Sequence, residues 1–248
     1  MDRQKKTERE IENIHKSIDV LNENFVSDKD FRNFVIYKGQ KFEADEQQER
    51  QMSGKYSRDL DDGSFVEPVK KDKKIIIFGD SITQGYDAQN PINRYAANLA
   101  DALGAEEINK AIGGEAFCPW LAELKDDIEP DYISVAYGTN HWHRSSSEEF
   151  RSICEEFYDK LVANYPNAKI FALTPIWRKD RTDITRFESF EEIGEIIADV
   201  VKKYDNVTCI SGRHFIPEDE TLFSDLYLHP NDKGFKYYSE GVKKAVEK

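Results

Sequence analysis

The residues best placed to do chemistry sit in Gly79-Asp80-Ser81-Ile82-Thr83-Gln84-Gly85, which follows directly on the apolar run Lys73–Phe78. A strand running into a turn with glycine on either flank puts the Ser81 hydroxyl at the edge of a sheet, at or near the start of a helix. Backbone N–H groups point outward there, and the local dipole favours negative charge. A serine so placed can attack a carbonyl, and its own N–H can hold the oxyanion that forms. It can equally do no more than cap the helix. The segment is not a Walker loop, because no Gly-Lys-Ser/Thr follows, and it is not a GxGxxG fingerprint. It also misses the GxSxG nucleophile elbow, since Thr83 stands at the second glycine position.

A nucleophilic serine needs a base, and the chain has five histidines. His15 belongs to an N-terminal helical pattern, His141 and His143 follow one apolar run, and His214 follows another. His229 lies in Asp225-Leu226-Tyr227-Leu228-His229-Pro230-Asn231-Asp232, just ahead of the last amphipathic segment. Pro230 disfavours helical backbone at His229 and holds it extended at the helix entrance. Asn231 or Asp232 can cap that helix. Asp225, four residues upstream, can orient the imidazole and stabilise its charged form. Taken without the serine motif, a lone histidine is more often a satisfied surface or core residue.

Two further segments supply hydrogen-bond donors. Asn109 to Gly114 reads NKAIGG, whose glycines allow the backbone to approach a ligand closely. Gly138-Thr139-Asn140 presents an amide side chain after the next apolar run. A backbone N–H together with an Asn amide is what the oxyanion of an acyl transfer needs, and one such donor is typically worth about 2.7–4 kcal/mol. Alternatively, Gly113-Gly114 is a plain turn and Asn140 a helix cap.

In the order GDS, Gly, GTN, DxxxHP, these pieces together resemble the SGNH (GDSL) hydrolase family over roughly residues 73 to 247. The resemblance implies Ser81 as nucleophile, His229 as base and Asp225 as acidic partner. It also implies an oxyanion hole made of the backbone N–H groups of Ser81 and Gly114 and the side chain of Asn140. The family usually spaces the acid three residues before the histidine, whereas Asp225 lies four before; no other acid falls between Ser224 and His229. The family's Asn is often followed by Asp, and here His141 follows Asn140. The implied activity is hydrolysis of small carboxylic esters by a serine esterase or acylhydrolase, with O-acetyl groups on carbohydrates as one expectation. A thioesterase or lipase-type enzyme would use the same residues, and a non-catalytic carbohydrate- or anion-binding module on the same fold is the reading from another class. No cofactor and no metal are implied. Asp80, His141, Trp142, Trp177 and Arg178 are candidate substrate-binding residues, with His143, Phe117 and Trp120 nearby on loops expected to face the site.

The elements that must position these groups follow from apolar patterning. KKIIIFG, a short run near Glu106–Asn109, DYISVAYG, AKIFALTP and NVTCIS read as buried strands. Helical patterns fall near Pro91–Leu103, Glu148–Asn164, Phe187–Tyr204 and Asn231–Val246. Strands apolar on both faces and separated by helices imply a parallel sheet covered on both sides. With right-handed crossovers this is a flavodoxin-like three-layer α/β/α sandwich of about five strands, and ligands sit beyond the carboxyl ends of its strands.

Composition bounds the remainder. The chain has 248 residues, about 39% apolar, and a formal net charge of −13. Such a charge argues against nucleic acid and anionic membrane surfaces as partners and leaves a small-molecule ester as the expected one. No run of about 18 apolar residues occurs, so no membrane span is expected. No secretory signal pattern opens the chain, and Cys118, Cys154 and Cys209 are sparse and unpaired in sequence, so a cytoplasmic location with reduced thiols is expected.

Composition shifts near residue 72, which divides the chain into an extension, residues 1–72, and the hydrolase-like domain, residues 73–248. In the extension, Ile11, Ile14, Ile18, Leu21 and Phe25 recur at helical spacing. That stripe would dock on its own domain or join two copies as a homo-oligomer. FVIYKGQKF reads as a short hairpin, and the polar residues from Glu43 to Lys73 as a linker.

Overall fold

The computed structural model describes residues 71–247, together with two short strands earlier in the chain. Contacts divide the chain into two units, residues 1–67 and 68–248. In the first unit, β1 (Phe34–Tyr37) and β2 (Gln40–Glu43) pair antiparallel with Tyr37 opposite Gln40, the hairpin expected from FVIYKGQKF. The expected N-terminal helix around Ile11–Phe25 and the linker lie outside the described residues.

In the second unit five strands form one parallel sheet: β3 (Lys73–Gly79), β4 (Ala105–Asn109), β5 (Tyr132–Ala136), β6 (Lys169–Leu173) and β7 (Val207–Ile210). Their spatial order is β4-β3-β5-β6-β7. The chain thus leaves β3 toward one edge, then returns across it to build the other side. The winding reverses between β3 and β5, and doubly wound sheets bind their ligands beyond the carboxyl ends of the strands at such a point. Gly79 pairs with Ala136 across that junction, so the loop carrying Ser81 and the loop carrying Asn140 emerge side by side.

Alternate residues of the strands feed two cores. Ile76, Phe78, Ile133, Val135, Ile170 and Ala172 face one layer. It holds α3 (Pro119–Glu123), α4 (Ser147–Asn164) and α5 (Phe190–Val201). Ile75, Ile77, Phe171, Leu173 and Ile210 face the other. There lie α1 (Ser81–Gln84), α2 (Tyr95–Ala102) and α6 (Asp232–Val246). This two-residue alternation, with apolar side chains on both sides, is why the strands read as continuous apolar runs. Each large side chain so enclosed is worth roughly 1.5–3 kcal/mol relative to exposure. The expected three-layer α/β/α sandwich is therefore the observed architecture.

Helix boundaries follow local chemistry. Ser146 and Glu149 form a reciprocal capping box at the start of α4, and Ser189 caps α5 through the Glu192 amide. The helix expected over Pro91–Leu103 is interrupted. A 3₁₀ turn at Pro91–Asn93 ends at Arg94, whose extended backbone separates it from α2. Short helices at Pro119–Glu123 and the 3₁₀ turns at Thr139–His141 and Glu220–Leu222 carry no periodic signal of their own. Among the described residues no helix is long and apolar enough to cross a membrane.

Candidate active site

Ser81 opens α1 immediately past the end of β3. Asp80 caps this turn, its Oδ1 accepting from the Ile82 amide at 2.9 Å. Gly79 is required by close approach, since a Cβ there would lie 2.0 Å from Thr83 Oγ1. The Thr83 hydroxyl in turn meets Tyr95 Oη at 2.7 Å, and Tyr95 stacks on Tyr238 at 4.1 Å. The serine turn is thereby tied to α2 and α6.

The imidazole arrives from the other end of the sequence. Residues 222–231 fold back on themselves: the Ser224 amide donates to His229 O, the Asn231 amide to Leu222 O, and Phe223 bridges Pro230. Asn231 Oδ1 accepts from the Lys233 and Gly234 amides and starts α6. His229 is held just ahead of that helix, as the proline predicts. Its Nε2 lies 2.9 Å from Ser81 Oγ, and its Nδ1 lies 2.7 Å from Asp225 Oδ2.

The four-residue spacing from Asp225 to His229 has a local explanation. Leu226 adopts a left-handed backbone with φ 56°, which takes up the extra residue. The turn then wraps around the carboxylate, whose Oδ1 accepts from the amides of Tyr227, Leu228 and His229 at 2.8–3.1 Å. Burial alone would raise the Asp225 carboxyl, but the Leu228 amide, the His229 ring and the other amides bring it below its ordinary value. An ionised carboxylate only accepts, so Nδ1 carries the proton and Nε2 is free to accept from the Ser81 hydroxyl.

The donors converge on the same edge. Among the described residues no acceptor meets the amide of Ser81 or of Gly114. Gly114 has φ 76°, a left-handed turn natural to glycine, and a Cβ there would meet nothing within 4 Å. Asn140 Nδ2 is already engaged. It donates to Glu115 O at 2.7 Å and makes a long contact of 3.4 Å to Asp80 Oδ2. Serving an oxyanion requires that long contact to yield.

Five residues expected to bind substrate are placed otherwise. Asp80 is buried as the cap just described. Burial pushes its carboxyl up to about 6, against the Ile82 amide and the nearby His229 ring, which pull it down. His141 is also buried, and desolvation, with the nearby Arg144 charge, lowers it to about 4. Neutral, it accepts from the Phe117 amide on Nε2, which leaves Nδ1 to donate to Ser145 Oγ; its work is to tie the loop after Gly114 to the loop of Asn140. Trp142 is 1% exposed and donates its indole N–H to Asp180 O. Trp177 is buried in the second core against Phe223. Arg178 is 4% exposed and bound entirely to protein. Phe117 is likewise core, whereas Trp120 and His143 remain exposed.

Sequence reasoning missed Tyr86. Its ring lies 4.8 Å from that of His229 and is 57% exposed, so it forms an open wall beside the base. The one available signal was an aromatic residue directly after the glycine that ends α1. His143, Asp180 and Asp183 group their polar atoms closely enough to suggest a cation. However, the Asp180 carboxylate already receives Arg178, Tyr227 and His143 and is satisfied by protein alone.

Ser81, His229 and Asp225 thus stand in hydrogen-bonded sequence at the switch of a doubly wound sheet. Residues 77–237 match the GDSL-like lipase/acylhydrolase family, and the chain belongs to it. No curated protein matches the chain.

Among solved structures, it is similar to the salicylyl-acyltransferase SsfX3 from a tetracycline biosynthetic pathway, with 21% identity and a TM-score of 0.63 over 73% of this chain. It is also similar to a candidate GDSL-like lipase from Bacteroides ovatus, with 26% identity and a TM-score of 0.61 over 71% of this chain. A family two carbohydrate esterase from Clostridium thermocellum gives 19% identity and a TM-score of 0.58, covering 74% of this chain and 66% of that one. The chain spans 56% of the acyltransferase and 52% of the Bacteroides protein.

Proposed function

We propose that the chain is a serine esterase that removes small acyl groups, O-acetyl groups on carbohydrates foremost, through an acyl-enzyme on Ser81. The observation that carries this reading is the continuous line from Asp225 Oδ2 through His229 to Ser81 Oγ, with gaps of 2.7 and 2.9 Å. His229 Nε2 takes the hydroxyl proton as Oγ attacks the ester carbonyl. Negative charge develops on the carbonyl oxygen, toward the amides of Ser81 and Gly114 and the side chain of Asn140. His229 then protonates the leaving alcohol, and Asp225 stabilises the imidazolium in between. A water activated by the same nitrogen releases the acid.

Preference for a small acyl group draws on the name of one similar structure, an acetyl xylan esterase. Preference for a ring-bearing alcohol rests on Tyr86, an exposed aromatic face beside the base. Four of the similar structures are family two carbohydrate esterases by name, the Clostridium enzyme above among them, and a further one is an acetyl xylan esterase from Butyrivibrio proteoclasticus.

The test is a panel of p-nitrophenyl esters and acetylated sugars, run with wild type and Ser81→Ala. Activity should peak at acetyl and fall roughly 10⁶-fold in the variant. Undiminished hydrolysis by Ser81→Ala overturns the nucleophile, and a maximum at long acyl chains overturns the substrate class.

A further inference from the structure

Arg178 stands behind the reacting groups, in the loop after β6, and is almost fully enclosed. All five of its N–H groups are spent on protein. Nε donates to Asp180 Oδ1 and Nη2 to Asp180 Oδ2, a two-pronged pairing with one carboxylate. The second Nη2 hydrogen goes to Tyr227 Oη at 3.1 Å. Nη1 donates to Thr139 O at 2.7 Å and to Thr139 Oγ1 at 3.2 Å. Thr139 immediately precedes Asn140, and Tyr227 lies midway between Asp225 and His229.

Tyr227 is fixed a second time, since its hydroxyl donates to Asp180 Oδ2 and its carbonyl accepts from the Lys179 amide at 3.0 Å. Asp180 is steadied by His143 and by the indole N–H of Trp142 on its carbonyl. Burial would raise the Asp180 carboxyl, but Arg178, Tyr227 and His143 bring it down to about 2. The pair therefore stays ionised wherever the enzyme operates.

From this geometry we infer that Arg178, held by Asp180, is a positioning residue that sets the loop of the oxyanion amide, Thr139–Asn140, against the loop of the acid and base, Asp225–His229. These loops are far apart in the domain sequence, and the guanidinium grips both. Only a planar fork with five donors reaches all its partners at once; a lysine ammonium has three and no fork. The inference rests on the serine esterase reading above, because it assigns work to residues that act through Asn140 and His229. Misplacing reacting groups by a fraction of an ångström slows the chemical step while leaving substrate capture largely intact.

The experiment compares wild type, Arg178→Lys and Tyr227→Phe on p-nitrophenyl acetate at a temperature well below every variant's Tm. Active sites are counted by stoichiometric labelling with a fluorophosphonate, so unfolded protein does not enter kcat. We expect kcat per labelled site to fall about 100-fold in Arg178→Lys and about 10-fold in Tyr227→Phe, with KM within threefold of wild type. The double variant should lose no more than Arg178→Lys alone, since both changes break one connection. Unchanged kcat per labelled site, with only Tm lowered, would reduce Arg178 to a structural ion pair and overturn the proposal. If Arg178→Lys does not fold, Tyr227→Phe alone decides the question in the same way, because its ring and fold are retained. Failure of the fluorophosphonate to label and inactivate wild type would overturn the serine reading itself. Labelling of wild type with unaltered variants overturns the positioning role only.

Discussion

Two sets of polar residues crowd the carboxyl edge of this sheet, and they share side-chain types but not tasks. In the front row, Ser81, His229 and Asp225 are partly open to solvent and form one chain of hydrogen bonds that ends on the Ser81 hydroxyl. In the back row, Asp80, His141, Arg178 and Asp180 are buried, and their polar atoms are committed to neighbouring protein groups. Each row contains a histidine and a carboxylate. Only the front one reaches solvent. What separates the two rows is access to solvent, a property that residue type does not disclose.

The sharpest break of that contrast is Asp225→Asn. An amide at this position can no longer be relied on to fix the Nδ1–H tautomer, so kcat on p-nitrophenyl acetate should fall about 10⁴-fold while far-UV dichroism is unchanged. A loss of less than tenfold would place the acid elsewhere.

Asn140→Ala tests the one side chain that belongs to both rows. Removing an oxyanion donor should lower kcat by about 10²–10³-fold with KM little changed. Undiminished kcat would leave Asn140 as a tie to Glu115 only.

Asp80→Asn probes the back row through stability. The Asp80 carboxyl is raised to about 6 in the folded chain, from about 3.9 when unfolded. Between those values the folded state binds more protons than the unfolded one, so wild-type stability declines as pH rises from about 4 to 6. At about 1.4 kcal/mol per unit, the decline amounts to at most about 3 kcal/mol. Denaturant titrations of Asp80→Asn across that window should lack this component, while the cap to Ile82 is kept. Parallel pH profiles for variant and wild type would contradict the assigned burial effect.

The smallest effect is expected at Leu226. A non-glycine residue in left-handed backbone costs about 1 kcal/mol, so Leu226→Gly should raise stability by up to that amount, less the added freedom of the unfolded chain. A loss above roughly 1 kcal/mol by the same titration would mean that the leucine side chain, not the turn, holds the loop.

How much of this is legible in the sequence follows the same division. Strands such as KKIIIFG announce themselves because both faces are buried, and the serine, histidine and amide segments stand at strand ends that a parallel fold must bring together. The pairing of Asp225 with His229 is readable as proximity in sequence, but the left-handed turn at Leu226 that makes four-residue spacing work is not. Leucine carries no signal for that conformation. Arg178, Trp142 and His141 read as pocket residues because loops at a sheet's carboxyl edge supply both lining and scaffold. Burial, which decides between those roles, depends on contacts with distant residues such as Thr139, Tyr227 and Phe117. Tyr86 is marked only by its place after Gly85, because its partner ring lies 143 positions away.

One consequence concerns selectivity between bound states. The Asn140 amide is not waiting empty-handed, since Glu115 O holds it firmly and Asp80 Oδ2 loosely. An ester carbonyl, a weak acceptor, has little to offer in exchange for the loose partner. A fully charged tetrahedral oxygen has a great deal. In the proposed mechanism the amide is a latch that changes hands only late along the reaction coordinate, its grip reserved for the fleeting species rather than the resting substrate.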